Sequence, residues 1–183
     1  AFYDKIDALP NYQNVEATFD RLITAEVGLH YSHLLRSLGA VDDDKGLRWD
    51  VILTANRVNN ENIPQLRGSF DFGIPLPGSH SSLWSRTAAG AADGDRRDPF
   101  ANFFFGGFGN NYVDSGEIKR YREHYAMPGF GLNEVSGRTF VRQMVEWNVP
   151  PVIFDNLGTP GFHAAWLRPA LFASALWTDP ESG

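Results

Sequence analysis

Along this chain apolar and polar residues trade places at every second position, in segment after segment. In residues 22–32, Ile23, Ala25, Val27, Leu29 and Tyr31 fall on one side of an extended strand, with Thr24, Glu26, Gly28, His30 and Ser32 on the other. Trp49, Val51, Leu53 and Ala55 alternate with Arg48, Asp50, Thr54 and Asn56 in the same way. So do Leu66, Phe70, Phe72 and Ile74 with Gln65, Arg67, Ser69 and Asp71. Side chains change face at each residue of a strand, so each segment has one apolar and one polar side. With Gly, Pro, Asn and Asp as turn signals, the pattern predicts about seven strands, near 21–35, 46–57, 64–75, 81–92, 100–108, 137–149 and 161–177. Such faces suit a half-wetted antiparallel sheet or the wall of a membrane barrel.

Residues 1–20 are less periodic and read as a linker or the end of a preceding element, while 21–183 reads as a β-barrel segment with a long loop at 109–137. Short links at 59–62 and 75–78 alternate with longer ones at 35–46, 92–99 and 109–137. That is the asymmetry of outer-membrane barrels, which keep tight turns at one end and long loops at the other. Bacterial single-chain barrels close with an even number of strands, at least about eight. An odd count therefore predicts either a piece of a larger barrel or an eighth strand within 1–20.

Composition narrows the classes. Hydrophobic residues make up 43% of the 183 and charged residues 21%, a globular balance. A net charge of -6, with Lys119-Arg-Tyr-Arg122 as the one basic cluster, argues against nucleic acid as a partner. The chain has no cysteine. No apolar run approaches the ~18 residues of a membrane-spanning helix, whereas a barrel strand needs only about 9 to 11 and tolerates alternate polar positions. The mean hydropathy of -0.30 is compatible with such a barrel. Residues 1–20 show no signal-peptide pattern, which reads as a removed signal or an internal piece.

Catalytic signatures are lacking. His30, His33, His80, His124 and His163 are scattered without zinc-ligand spacing, and His30 and His33 fall on opposite faces of a regular strand. Asp42-Asp43-Asp44 and the group Asp93, Asp95 and Asp98 offer oxygen ligands in glycine-containing loops, yet neither completes a calcium loop, and both read as solvated loops. There is no Gly-x-Ser-x-Gly elbow and no phosphate-cradling loop, so the expectation is a protein that is not an enzyme and needs no metal or cofactor. Gly106-Gly107 reads as a kink or a place of close backbone approach. Trp49, Phe70, Phe72, Trp84, Tyr112, Trp147, Phe162, Trp166 and Trp177 are expected to form lipid-facing girdles, and Glu26, Arg48, Asp50, Arg67, Asp71, Arg86, Arg138, Arg142 and Arg168 to line a lumen.

From Trp49 onward the order of features resembles the C-terminal barrel of the bacterial surface antigen superfamily, the BamA-like and two-partner-secretion outer-membrane translocators. The resemblance rests on Gly46-Leu-Arg-Trp-Asp50, Gly73-Ile-Pro-Leu-Pro77, Leu83-Trp-Ser-Arg-Thr-Ala-Ala-Gly90, Phe103-Phe-Phe-Gly-Gly-Phe108, a loop with Tyr121-Arg-Glu and Pro128-Gly-Phe130, and a strand carrying Glu146 that ends in Pro150-Pro151. It implies an all-β antiparallel transmembrane barrel of about sixteen strands, of which this chain is a segment. In that family an Arg-Gly-aromatic loop tip folds into the lumen and pairs with an acidic residue on a later strand. Here the corresponding region reads Gly109-Asn-Asn-Tyr-Val-Asp114, and Phe172-Ala-Ser-Ala-Leu-Trp177 stands where an aspartate and glycine are expected. Both halves of that ion pair thus look absent, with Arg120 or Arg122 as substitutes for the loop arginine.

The loop and lumen candidates are accordingly Tyr112, Arg120, Arg122, Phe130, Glu146 and Ser174. The expected role is polypeptide translocation, outer-membrane protein assembly or surface anchoring at the bacterial outer membrane. Its partners would be outer-membrane lipid, a substrate polypeptide or periplasmic domains. The alternative is a soluble β-sandwich module that binds carbohydrate or peptide through exposed aromatic rings.

Overall fold

The computed structural model describes residues 21–40, 42–108, 119–159 and 161–179. The expected linker 1–20 and Tyr112 lie outside these residues. Among the described residues ten strands run in chain order: β1 (Leu22–Leu35), β2 (Lys45–Val58), β3 (Glu61–Pro75), β4 (Ser82–Ala92), β5 (Phe103–Phe105), β6 (Val135–Gly137), β7 (Thr139–Asn148), β8 (Val152–Thr159), β9 (Phe162–Leu167) and β10 (Ala170–Thr178). Six of them build one antiparallel sheet in the order β1-β2-β3-β4-β7-β10, while β5-β6 and β8-β9 form two-stranded sheets. The chain is all-β and antiparallel. Among the described residues β1 and β10 are open edges, and the sheet does not close into a barrel.

Where alternation is clean, the strands form where the sequence puts them. β2 and β3 join through a two-residue turn, with Val58 opposite Glu61. Asn59 and Asn60 both take positive φ, 47° and 85°, the conformation that matches the twist of a tight hairpin and that asparagine tolerates. The cross-sheet row Leu29, Val51, Gly68, Ala89, Val141 and Trp177 shows the result. One face of all six strands is built from the apolar set.

Three expectations are corrected. The strand expected at 100–108 is not part of the wall. Only Phe103–Phe105 is extended, and Phe103 and Phe105 are buried against Ala88 and Phe140 on the polar side of the sheet. The chain leaves this path at Gly106, whose φ is 148° and where a Cβ would lie 1.9 Å from the Gly131 carbonyl oxygen, so the close approach expected of the glycine pair is real. The strand expected at 161–177 is broken at Arg168-Pro169 into β9 and β10, because proline gives no ladder donor. Finally, tight turns and long links do not segregate. The two-residue turn at 59–60 shares its end of the sheet with the long 93–138 connection, while the links at 36–44 and 76–81 and the β8-β9 hairpin lie at the other.

Burial is inside-out. Val27 (70% exposed), Leu29 (65%), Val51, Leu53, Leu66, Phe70, Phe72, Val141, Val145, Leu171 and Trp177 (60%) stand open on the apolar face. The opposite face buries Asp71, Arg86, Arg142 and Glu146 beneath the 93–137 connection. Hydrophobic packing lies on this polar side as well. Phe103 and Phe105 meet Phe140 edge-on at 4.9 and 4.8 Å, with Tyr125 beside them. A second cluster joins Val58, Ile63 and Ala101. Trp84, expected in a girdle, is instead buried on the polar face at 3% exposure. It lies flat on Gly73, where a Cβ would come within 2.4 Å of the ring, and carries the Arg86 guanidinium 4.9 Å above its own ring.

Candidate functional site

The polar face of β2, β3, β4 and β7 presents charges in a row because every second residue points that way. Asp71 of β3 accepts hydrogen bonds from Arg48 Nη2 at 2.6 Å and Arg86 Nη1 at 2.8 Å. Arg86 Nε donates to Glu146 Oε2 of β7 at 3.2 Å. Each carboxylate is shared between guanidiniums. That sharing offsets the several kcal/mol that each buried ion would otherwise cost.

The long connection supplies the remaining partners. A single 3-10 turn, Arg120–Arg122, lays Tyr121 and Arg122 across the end of this row. Arg122 grips Glu146 through Nε, 2.9 Å from Oε2, and through Nη2 on Oε1, a two-pronged arrangement that fits the planar guanidinium. Tyr121 donates its hydroxyl to Glu146 Oε1 at 3.2 Å and stacks its ring on Phe172 of β10, centroids 4.2 Å apart and 3° from parallel. Its carbonyl accepts from Arg142 Nη2 at 2.9 Å. Lys119 Nζ reaches Asp42 at 2.7 Å and Asn148 at 3.1 Å, and Asp42 also sits 3.4 Å from Arg122 and 3.5 Å from Arg168. The β1-β2 link, β7, the segment before β10 and the loop are thereby tied at one knot.

The electrostatics follow from that knot. Burial works to raise the Asp42 carboxyl, but the Lys119 hydrogen bond and the surrounding cations hold it below the usual carboxylate range. Burial likewise works against the Arg122 charge, and the Glu146 hydrogen bond and charge outweigh it, leaving the guanidinium firmly protonated. Burial and the Glu146 carboxylate push the Tyr121 phenol up to about 12. Asp42, Glu146 and Arg122 therefore keep their charges throughout the neutral range.

The sequence candidates fare unequally. Arg122 and Glu146 are brought together as an ion pair between the loop and β7, whereas the stretch 172–177 on β10, where the acidic partner was expected, supplies Phe172 as a stacking partner for Tyr121 instead. Arg120 is half-buried in the same turn. Phe130 is 44% exposed and meets the fold through its backbone, its carbonyl accepting from Gly107 N at 3.0 Å. Ser174 faces the polar side opposite Met144, with its Oγ buried and without a hydrogen-bond partner among the described residues. Asp42 and Asp44, expected in a solvated loop, are instead drawn inward: Asp44 is buried and accepts from Ser37 N at 3.0 Å. Asp95 and Asp98 accept the amides of Arg97 and Phe100. No group of three or more acidic or imidazole side chains is arranged to hold a metal among the described residues.

Lys119, Tyr121 and Asp42 stand out in the sequence without a role in this site, and Arg168, expected on a lumen-lining strand face, reaches it instead from the segment before β10. The signal was present in the pairing of one acidic run with the one basic cluster, both in links rather than strands.

No family of known proteins, no curated protein and no solved structure matches this chain.

Proposed function

We propose that the chain is a segment of an outer-membrane β-barrel of the surface antigen type, with its apolar face toward lipid and the 119–137 loop lodged against the inner wall. Its role in this reading is polypeptide translocation, outer-membrane protein assembly or surface anchoring. The observation that carries the reading is the inversion of burial: large aliphatic and aromatic side chains stand open across six strands, while arginines and carboxylates are covered. Water gives no reason to build a sheet that way, and hydrocarbon does. β7 and β10, with 10 and 9 residues, match the about 9 to 11 residues a tilted strand needs to cross a bilayer.

Among the described residues no second sheet lies on the apolar face, as a sandwich through that face requires. The loop closes the polar face by an electrostatic knot, so in this reading it is a plug. Recovery from membranes only with detergent is the expected behaviour, and a monodisperse chain in plain buffer would overturn the assignment. In planar bilayers the double variant Lys119→Ala with Arg122→Ala should raise conductance. Unchanged conductance would overturn the plug.

A further inference from the structure

On the polar face, β1, β2 and β3 enclose with His124 of the loop a cavity of about 390 Å³. Sites for small ligands typically span about 300–1,000 Å³. Gly28 and Ile52, partners across the β1-β2 pair, both line it, and Gly28 has no side chain to cover the isoleucine. The next partners, His30 and Asp50, stand beside them, with Arg67 on β3. Two opposite charges thus face one space, and they do not pair with each other. Arg67 is half-buried and forms no ion pair among the described residues. The neighbouring acids are engaged elsewhere: Asp71 with Arg48 and Arg86, and Glu26 with the Thr54 hydroxyl at 3.3 Å. Asp50 accepts from the Ser69 hydroxyl and lies 3.9 Å from His124. The Tyr125 hydroxyl stands beside the Arg67 guanidinium.

A planar guanidinium takes a carboxylate through two parallel hydrogen bonds, and gains more from it when partly buried than in open water. A plain anion at Arg67 would also meet the Asp50 carboxylate and be repelled. A molecule with an ammonium group beside its carboxylate meets both charges with the right sign. Asp50 pairs with Ser69 and Arg67 with Ile52, so the two are diagonal neighbours on adjacent strands, about 7–8 Å apart. That spacing leaves room for a small zwitterion between their charged ends. We propose that this cavity binds a small α-amino acid: Arg67 takes the carboxylate, Asp50 accepts from the ammonium, and the carbon skeleton lies over Ile52 in the space that Gly28 leaves. The site belongs to the polar face and holds whether the outer face meets lipid or water.

Arginine Nε–Hε NMR reads the site directly, with the protein in uncharged detergent or in buffer as its solubility dictates. The Arg67 peak is identified by its loss in Arg67→Gln. L-serine, the probe, should shift that peak saturably, with half-saturation at about millimolar concentration. Serinamide, which keeps the ammonium but lacks the carboxylate, should leave it in place, and acetate, which lacks the ammonium, should bind about tenfold more weakly than L-serine. Gly28→Val fills the cavity without changing any charge, and its first added carbon lies at an ordinary 3.5 Å from Ile52 Cγ1. It should abolish the shift while the other arginine peaks keep their positions. Asp50→Asn should remove the preference for L-serine over acetate. An Arg67 peak that does not saturate with L-serine, that answers serinamide equally, or that still shifts in Gly28→Val would overturn the proposal.

Discussion

Arg122 and Glu146, 24 residues apart in the chain, share two hydrogen-bonding edges, and through Arg86 and Asp71 this contact continues to Arg48 on β2. A loop is thus fastened to the polar face of a sheet by charge rather than by apolar packing alone. Such an arrangement is strong only while every member is present, because removing one partner leaves a buried ion uncompensated.

Glu146→Gln and Arg122→Ala should each cost about 3–5 kcal/mol of stability, the range for breaking a buried pair from one side. The double variant should cost clearly less than the sum. Denaturant unfolding of the four proteins in a double-mutant cycle measures this coupling; additive losses would show that the contact carries no energy of its own.

Gly73→Ala should destabilise the sheet by about 1–3 kcal/mol, the usual cost of forcing extra atoms into a packed site. The new Cβ would enter the Trp84 ring at 2.4 Å. Adding Trp84→Leu should relieve part of the loss. Thermal melts of both variants decide the matter, and a neutral Gly73→Ala would mean that the ring moves aside freely.

Val51→Arg tests the outward face directly. Val51 is 42% exposed, midway along the 14 residues of β2 on the apolar face. Facing hydrocarbon, an arginine near the midplane should cost about 2–4 kcal/mol, whereas on a watery sheet surface the change should stay within about 0.5 kcal/mol. Urea titration of the chain folded into vesicles distinguishes the two, and a cost near zero there would remove the membrane assignment.

Asp42 sets an acid limit. Its carboxyl is held below the ordinary aspartate value of 3.8 in the folded chain, so its contribution is fully present above that value and is lost as pH falls through the lower folded one. Asp42→Asn should lower stability at pH 7 and flatten the dependence on pH below about 4. Unfolding midpoints across pH 2–7 would show it; parallel curves for the two proteins would rule it out.

Much of the wall was legible because its pattern is binary. β1 spans Leu22–Leu35 where alternation predicted 21–35, and β2 and β3 are similarly close. Trp84 was misplaced by its residue type, though parity held the answer: it lies two residues from Arg86 and so on the same face. Phe103–Phe105 misled for a related reason. Three aromatics in a row read as wall, and nothing local reveals that they fold back onto Ala88 and Phe140. The knot was half visible. Arg122 and Glu146 were both singled out, but their meeting depends on how the chain returns from Gly106 to β7, a path that strand periodicity does not encode. Asp42 and Arg168 reach the same point from separate links for the same reason.

The open flanks of the sheet carry an arithmetical consequence. Six strands in strict alternation leave β1 and β10 pointing in opposite senses. Any set of antiparallel strands that joins one flank to the other, from this chain or another, must therefore be even in number. An odd set would force one parallel seam into the ring.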